Sequence, residues 1–191
     1  MATKLSVANL GLGKLGSAAV ASLAPPKSSL ERFIATGYDH WRQSEIAKHN
    51  WHFARETRVL TKLAATVTGE RPYQYPLPND YVGVIRKDGD EWRMQGTVFL
   101  SGYEDEFTVT LLVDKTENQM PPLFVEVLAW RVALECVEKV TQSNTKKDDV
   151  QKGYDRAVAI AKQRNAFETV ANDIQDDDMT SSWVYRRYYH G

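Results

Sequence analysis

The sequence predicts an α+β fold: an antiparallel helical bundle with a small antiparallel β insertion and an extended C-terminal tail. Three observations predict it. The stretch Pro121 to Ser143, PPLFVEVLAWRVALECVEKVTQS, has no Gly or Pro from Leu123 onward and is apolar over most of a helical cylinder. A helix with so little polar surface is buried on most sides. The region from about 57 to 120 is broken by Pro, Asp-Gly and Gln-Gly turn signals and holds an alternating run at Phe107 to Leu111, the period of a half-buried strand. The last segment, 172–191, follows neither period.

The elements follow in order. Thr3 to Gly16 places Leu5, Ala8, Leu12 and Leu15 at helical spacing, with Gly16 as a stop, so a helix is expected at about 3–15. After the loop Pro25-Pro26-Lys27-Ser28-Ser29, a second helix is expected at about 29–49. Ser29 is its N-cap, with Arg32 where a capping box would want Glu. Leu30, Ile34, Tyr38, Trp41 and Ile46 trace its apolar face, and Gly37 is a weak point. Thr57 to Leu63 reads as a strand, and Tyr73 to Asp80 as an extended, proline-pinned segment. Tyr81–Arg86 and Glu91–Gln95 flank Asp88-Gly89, which predicts a hairpin between them. Gln95-Gly96 is a second turn, and Phe107, Val109 and Leu111 alternate with Thr108 and Thr110.

The central helix is expected at about 122–142, with Pro121 and Pro122 at its start, where a missing N–H costs nothing. Arg131, Glu135, Glu138, Lys139 and Gln142 share one narrow polar strip. Glu126 falls outside that strip, beside Trp130, Ala133 and Val137. Its open roles are facing a partner, pairing with an Arg, or favouring the positive helix N-terminus, and first-turn chemistry is preferred. Trp41, Trp51, Trp130 and Glu126 are assigned to the subunit core or a lateral interface. A fourth helix, about 149–170, is capped by Asp148 or Asp149. It presents Val150, Tyr154, Ala157, Val158 and Ala161 to the central helix as an antiparallel partner. The chain thus divides into a domain over 1–171 and a docking tail over 172–191.

Composition narrows the function. At 191 residues and 42% apolar content the chain can bury a real core, and its net charge of −1 gives no sign of general nucleic-acid binding. The one cysteine, Cys136, rules out an internal disulfide framework and reads as a small core residue. No run resembles a signal peptide or a membrane span, so a cytosol-like setting is expected. Gly11, Gly13 and Gly16 form a Gly-x-Gly-x-x-Gly. A dinucleotide site would need a strand at Leu5 to Leu10 and a parallel sheet downstream; the absence of further strand–helix alternation argues against it. His49 and His52 have a spacing that can bind metal on a helix, but no third ligand accompanies them. Glu104, Asp105 and Glu106 sit between two strands, where paired carboxylates could cleave a glycan; a charged hairpin tip is the simpler reading. No catalytic residue, cofactor or metal is expected.

The tail has a chemistry of its own. Asp173, Asp176, Asp177 and Asp178 repel one another and predict an extended segment. Trp183-Val184-Tyr185-Arg186-Arg187-Tyr188-Tyr189 then packs four aromatics and two arginines into seven residues. Aromatics with Arg are the residue types most enriched at interface hot spots. Trp183, Tyr185, Arg186, Arg187, Tyr188 and Tyr189 are therefore candidate contacts to a partner or a neighbouring copy.

With this order in place, the chain resembles the podovirus tail tubular protein A family, the head-to-tail adaptors (connectors) of short-tailed bacteriophages. The resemblance is carried by Asn9 to Gly16, His49-Asn50-Trp51-His52-Phe53-Ala54, Tyr73 to Asp80, Trp92 to Gly96, the helix Pro122 to Val140, and Tyr154 to Ala161. It covers most of the chain to about Phe167 and does not include the tail. It implies a structural virion protein, not an enzyme, assembled in the host cytoplasm into the neck of the virion. Copies would form a ring, usually of twelve, between the portal protein and the tail nozzle (tail tubular) protein. Double-stranded DNA would pass through the lumen during genome ejection without sequence-specific contact, and no membrane is involved. The helices would form the ring body, with neighbours covering the central helix, and the β region would face the next tail component. The alternatives are a tail-associated glycan-cleaving enzyme using Glu104 or Glu106, or a dinucleotide-binding protein using Gly11, Gly13 and Gly16.

Overall fold

The computed structural model describes residues 2–87, 92–102, 104 and 106–176. Its helices are α1 (Lys4–Lys14), α2 (Ser29–Ala47), α3 (Pro122–Val140) and α4 (Asn144–Asp176). Its strands are β1 (Arg55–Leu60), β2 (Tyr73–Pro76), β3 (Tyr81–Lys87), β4 (Trp92–Gln95), β5 (Val98–Ser101) and β6 (Phe107–Val113). The expected bundle with a small β insertion and an extended tail is overturned. The β region is two three-stranded antiparallel sheets, ordered β1-β6-β3 and β2-β5-β4, with a hydrophobic core of its own. The tail is not extended from residue 172, because α4 continues to Asp176. No Gly or Pro lies between Tyr154 and Asp176, so nothing in the backbone stops the helix where aspartates begin.

The helices start where local chemistry caps them. Thr3 and Ser6 form a capping box at α1. At α2 the cap is Ser28, not Ser29: Ser28 Oγ accepts from the Glu31 N–H at 3.1 Å, and Glu31 accepts from the Ser28 N–H at 2.8 Å. The capping-box glutamate missing from the expected frame is thus present one residue earlier. At α3, Pro121 is the N-cap and Pro122 occupies the first turn. Gln142 at φ 50° ends the connection out of α3. Ser143 then caps α4 through Oγ to the Lys146 N–H, in place of Asp148 or Asp149.

α3 is the centre of the molecule. Phe124, Val127, Leu128, Ala129, Val132, Ala133, Cys136 and Val137 are each at most 1% exposed. Full burial of a Leu or Phe side chain is worth about 1.5–3 kcal/mol. The cover comes from α1, α2 and α4 of the same chain. The expectation that ring neighbours must bury this helix is therefore wrong. α4 runs antiparallel to α3: Lys147 reaches Glu138, Gly153 lies under Trp130, and Ala161 lies beside Phe124. The apolar face Val150, Tyr154, Ala157, Val158 and Ala161 is the face that packs.

The sheets form two further layers. β6 is the middle strand of the first sheet, and its alternation splits its side chains between two cores. Phe107, Val109, Leu111 and Val113 face the second sheet, while Leu112 joins the helical core. Tyr75 stacks on Phe107 with ring centroids 4.6 Å apart, and Phe99 lies 5.1 Å from Phe107. β3 changes phase within its length: Tyr81 and Val84 face the second sheet, but Val82 and Ile85 face the helices. The register shift between Tyr81 and Gly83 supplies the extra residue this needs.

Among the described residues β3 and β4 do not pair as the predicted hairpin. β3 pairs with β6, and β4 pairs with β5 in the other sheet. Asp88-Gly89 itself lies outside the described residues. The turn at Gly96 is as expected: Gln95 pairs with Val98, and Gly96 takes φ +58°, the left-handed value that tight hairpins require.

Candidate functional site

Of the residues singled out in the sequence, Trp41 is 6% exposed and Trp51 is 2% exposed. Both belong to the helical core. Trp51 donates its indole N–H to the Glu45 carbonyl at 2.9 Å, and its ring meets Phe124 edge-on at 5.0 Å. Trp130 is half-buried. It covers Gly153, where an added Cβ would lie 2.4 Å from the ring, and Lys14 sits 4.3 Å over its face. Glu126 pairs with Lys14 at 2.5 Å, not with an Arg, and lies beyond the first turn of α3. These four residues tie the subunit together internally. Trp183, Tyr185, Arg186, Arg187, Tyr188 and Tyr189 lie outside the described residues.

Sequence reasoning missed the charged groups that knit the layers. Glu45 is 1% exposed on the inner side of α2. It accepts from Lys48 Nζ at 2.6 Å, Arg131 Nη1 at 3.0 Å and the Tyr154 hydroxyl at 2.9 Å, so one carboxylate joins α2, α3 and α4. Burial works against charge on Lys48, but the Glu45 and Tyr154 bonds outweigh it and raise the ammonium above its ordinary value. Arg42 grips Asp114 through Nε at 3.0 Å and Nη2 at 2.7 Å and reaches Glu117 at 3.0 Å. Such fork contacts are among the stronger ion pairs. They fix α2 to the segment between β6 and α3. The neighbouring Tyr38 hydroxyl is pushed far above its usual range by burial and then by Glu117. At the rim of the sheets, Arg58 holds Asp80 at 2.7 Å and Glu56 at 2.5 Å, and Lys115 also pairs with Glu56. Glu45 follows Trp41 by four residues and so lies on the apolar face of α2, which marks it in the sequence as a buried carboxylate but does not name its partners. Only the meeting of three helices identifies them.

Two asparagines act as backbone clips. Asn9 Nδ2 donates to the Val20 carbonyl at 3.1 Å while its Oδ1 accepts the Val20 N–H at 2.8 Å. Asn165 treats the turn before β1 the same way, donating to the Asn50 carbonyl at 3.0 Å and accepting the His52 N–H at 2.7 Å. The His49 ring meets Trp51 edge-on at 5.4 Å, and burial first, then Lys162, lowers its pKa. No cluster of three or more His, Cys, Asp or Glu in metal-holding geometry occurs among the described residues. Cys136 is buried, and that burial pushes its thiol up to about 12, far from a reactive thiolate.

The alternative chemistries fit poorly. The glycine pattern lies within α1 and just after it, not between a strand and a helix. Gly11 meets the α3 backbone: an added Cβ would lie 2.6 Å from the Ala129 carbonyl oxygen. Glu104 is exposed and paired with Lys62, whose hydrogen bond holds its carboxyl below the usual range. A glycosidase general acid needs the opposite shift. Glu106 is exposed. No protein-family model matches the chain, and no curated protein matches it.

Proposed function

We propose that this protein is a structural virion component, a head-to-tail adaptor that stands as a ring between portal and tail nozzle around the DNA channel. One observation carries the reading. The six stretches that resemble the adaptor family are far apart in sequence, yet they supply the packing that joins the layers. Gly11 of the first stretch seats α1 on α3. Trp51 and Phe53 of the second meet Phe124 of the central helix at 5.0 and 4.7 Å. Tyr75 and Trp92 build the core between the sheets, and Tyr154 closes the Glu45 hub. The residues that carry the resemblance are thus the ones that hold the layers together, as a shared architecture would require.

Because α3 is covered within the subunit, ring contacts fall to outer surfaces. Leu10 on α1 is 51% exposed, and Ile160 and Phe167 on α4 are 45% and 64% exposed. Ile160 and Phe167 are seven apart and so share one face of that helix. The tail residues Trp183, Tyr185, Arg186, Arg187, Tyr188 and Tyr189 are assigned to the portal or a neighbouring copy. The net charge of −1 suits a lumen through which DNA slides, since Lys and Arg contacts to phosphate are what create grip. The test is electron microscopy of the full chain mixed with the portal of the virus that encodes it. A ring of added density on one face of the portal is the expected result. A mixture whose components remain separate through gel filtration and in images overturns the proposal.

A further inference from the structure

The outer face of the second sheet carries a groove of about 460 Å³, walled by the 67–71 loop. Strand register defines its floor. Gln74, Leu100 and Arg93 form one cross-strand row, and Pro76, Val98 and Gln95 form the next. Tyr75 and Phe99 point the other way, into the core between the sheets. The loop is held over the face by the Leu63 N–H to the Gln74 carbonyl at 2.8 Å and by Gln74 Nε2 to the Ala65 carbonyl at 3.3 Å.

Two arginines line this groove from opposite sides, Arg71 on the loop and Arg93 on β4. Arg71 Nε is buried with no hydrogen-bond partner, as is Nε of Arg131, which is paired to carboxylates through its other nitrogens. Elsewhere Arg42, Arg58 and Arg131 are all matched to carboxylates. Neither Arg71 nor Arg93 has such a match among the described residues.

We propose that the groove binds an extended acidic peptide segment of a partner protein, with a carboxylate between Arg71 and Arg93 and an aliphatic side chain over Val98 and Leu100. Guanidinium forks match a carboxylate bidentately, and the apolar floor takes the neighbouring residue. The groove is poorly built for nucleic acid. None of its lining residues is an aromatic on which a base could stack. The proposal stands on this geometry and not on the adaptor reading.

The test titrates the full chain, labelled with ¹⁵N, with the blocked peptide acetyl-Thr-Val-Glu-Val-Asp-Thr-amide. Its Gln/Asn analogue and a ten-nucleotide oligo-dT are titrated in parallel. The acidic peptide should shift amide resonances of the 67–71 loop, β4 and β5 and the Arg71 Nε–H signal. It should bind at least ten-fold more tightly than the amide analogue and weaken as salt rises. Arg93→Glu, a change at an exposed position, should abolish the shifts while the rest of the spectrum stays intact, and Arg71→Gln should weaken binding about ten-fold. Equal binding of the amide analogue, tighter binding of oligo-dT, or shifts confined to other surfaces each overturn the proposal. Failure to join a portal would leave this titration unaffected, so the two readings fail separately.

Discussion

The three glycines Gly11, Gly13 and Gly16 should respond to alanine in three different ways. Gly11 and Gly13 both lie in α1, where replacing Gly by Ala gains up to about 1 kcal/mol of helix propensity. At Gly13 nothing lies within 4 Å of an added Cβ. Near the helix end the gain should survive as about 0.5–1 kcal/mol, a rise in Tm of roughly 1–4 °C for a chain of this size. At Gly11 the same methyl would lie 2.6 Å from the Ala129 carbonyl oxygen and 2.9 Å from Val132 Cβ. Neither is the tip of a flexible side chain, so α1 must move away from α3. Overpacking of this kind costs about 1–3 kcal/mol, so after the propensity gain the expected net is a loss of up to about 2 kcal/mol. At Gly16 there is space, but φ is +73°, and a side chain there costs about 1–2 kcal/mol. Urea denaturation followed by circular dichroism reads all three. If Gly11→Ala stabilises as much as Gly13→Ala, α1 does not approach α3 closely at Gly11. A nucleotide-binding loop would instead show little stability change and a lost ligand.

Three further outcomes are expected. Glu45→Gln leaves Arg131 with Glu135 as its remaining carboxylate and takes the ion pair from the partly exposed Lys48, and should cost about 1–3 kcal/mol. Unfolding at an unchanged denaturant midpoint would refute the hub. The Glu56 and Asp80 carboxyls are held below their ordinary values, chiefly by hydrogen bonds from Lys115 and Arg58 respectively. Their folded pKa values are depressed, so their contribution is present above the unfolded values and is lost as pH falls. Stability should decline below about pH 4 as unfolded carboxylates take up protons, and Arg58→Met should flatten that decline in a pH series of melts; an unaltered slope would sink the assignment. Truncation after Asp178 should leave the melting temperature nearly unchanged while removing portal attachment in co-sedimentation. A truncated chain that still sediments with the portal would remove the tail from the interface.

Much of the local structure was legible in the residues. The apolar run from Leu123 to Val140 is the most buried helix, Pro121-Pro122 mark its start, and Val150 to Ala161 supply the face that packs on it. The alternation Phe107-Val109-Leu111 gives a half-buried strand, and Gln95-Gly96 gives a turn. These are short-range properties: a helix or strand period appears within a few residues, and a cap or turn needs only its own side chains. The misreadings at Ser29 and at Asp148 or Asp149 are frame errors of one to six residues in the same local grammar, since Ser28 with Glu31 and Ser143 were equally visible.

What tertiary structure alone decided is which apolar surface covers which. Asp88-Gly89 is a sound turn signal, yet β3 leaves its neighbour to pair Tyr81 with Val113. That choice depends on two faces of one sheet both needing cover, helices on one side and a second sheet on the other. The phase shift at Gly83, the hub at Glu45, and the seats at Gly11 and Gly153 are likewise properties of meeting elements. Gly11 and Gly13 sit two residues apart in one helix, and sequence treats them alike. Only the approach of α3 makes one a contact and leaves the other in solvent, because close packing is decided by the atoms that arrive from elsewhere in the chain.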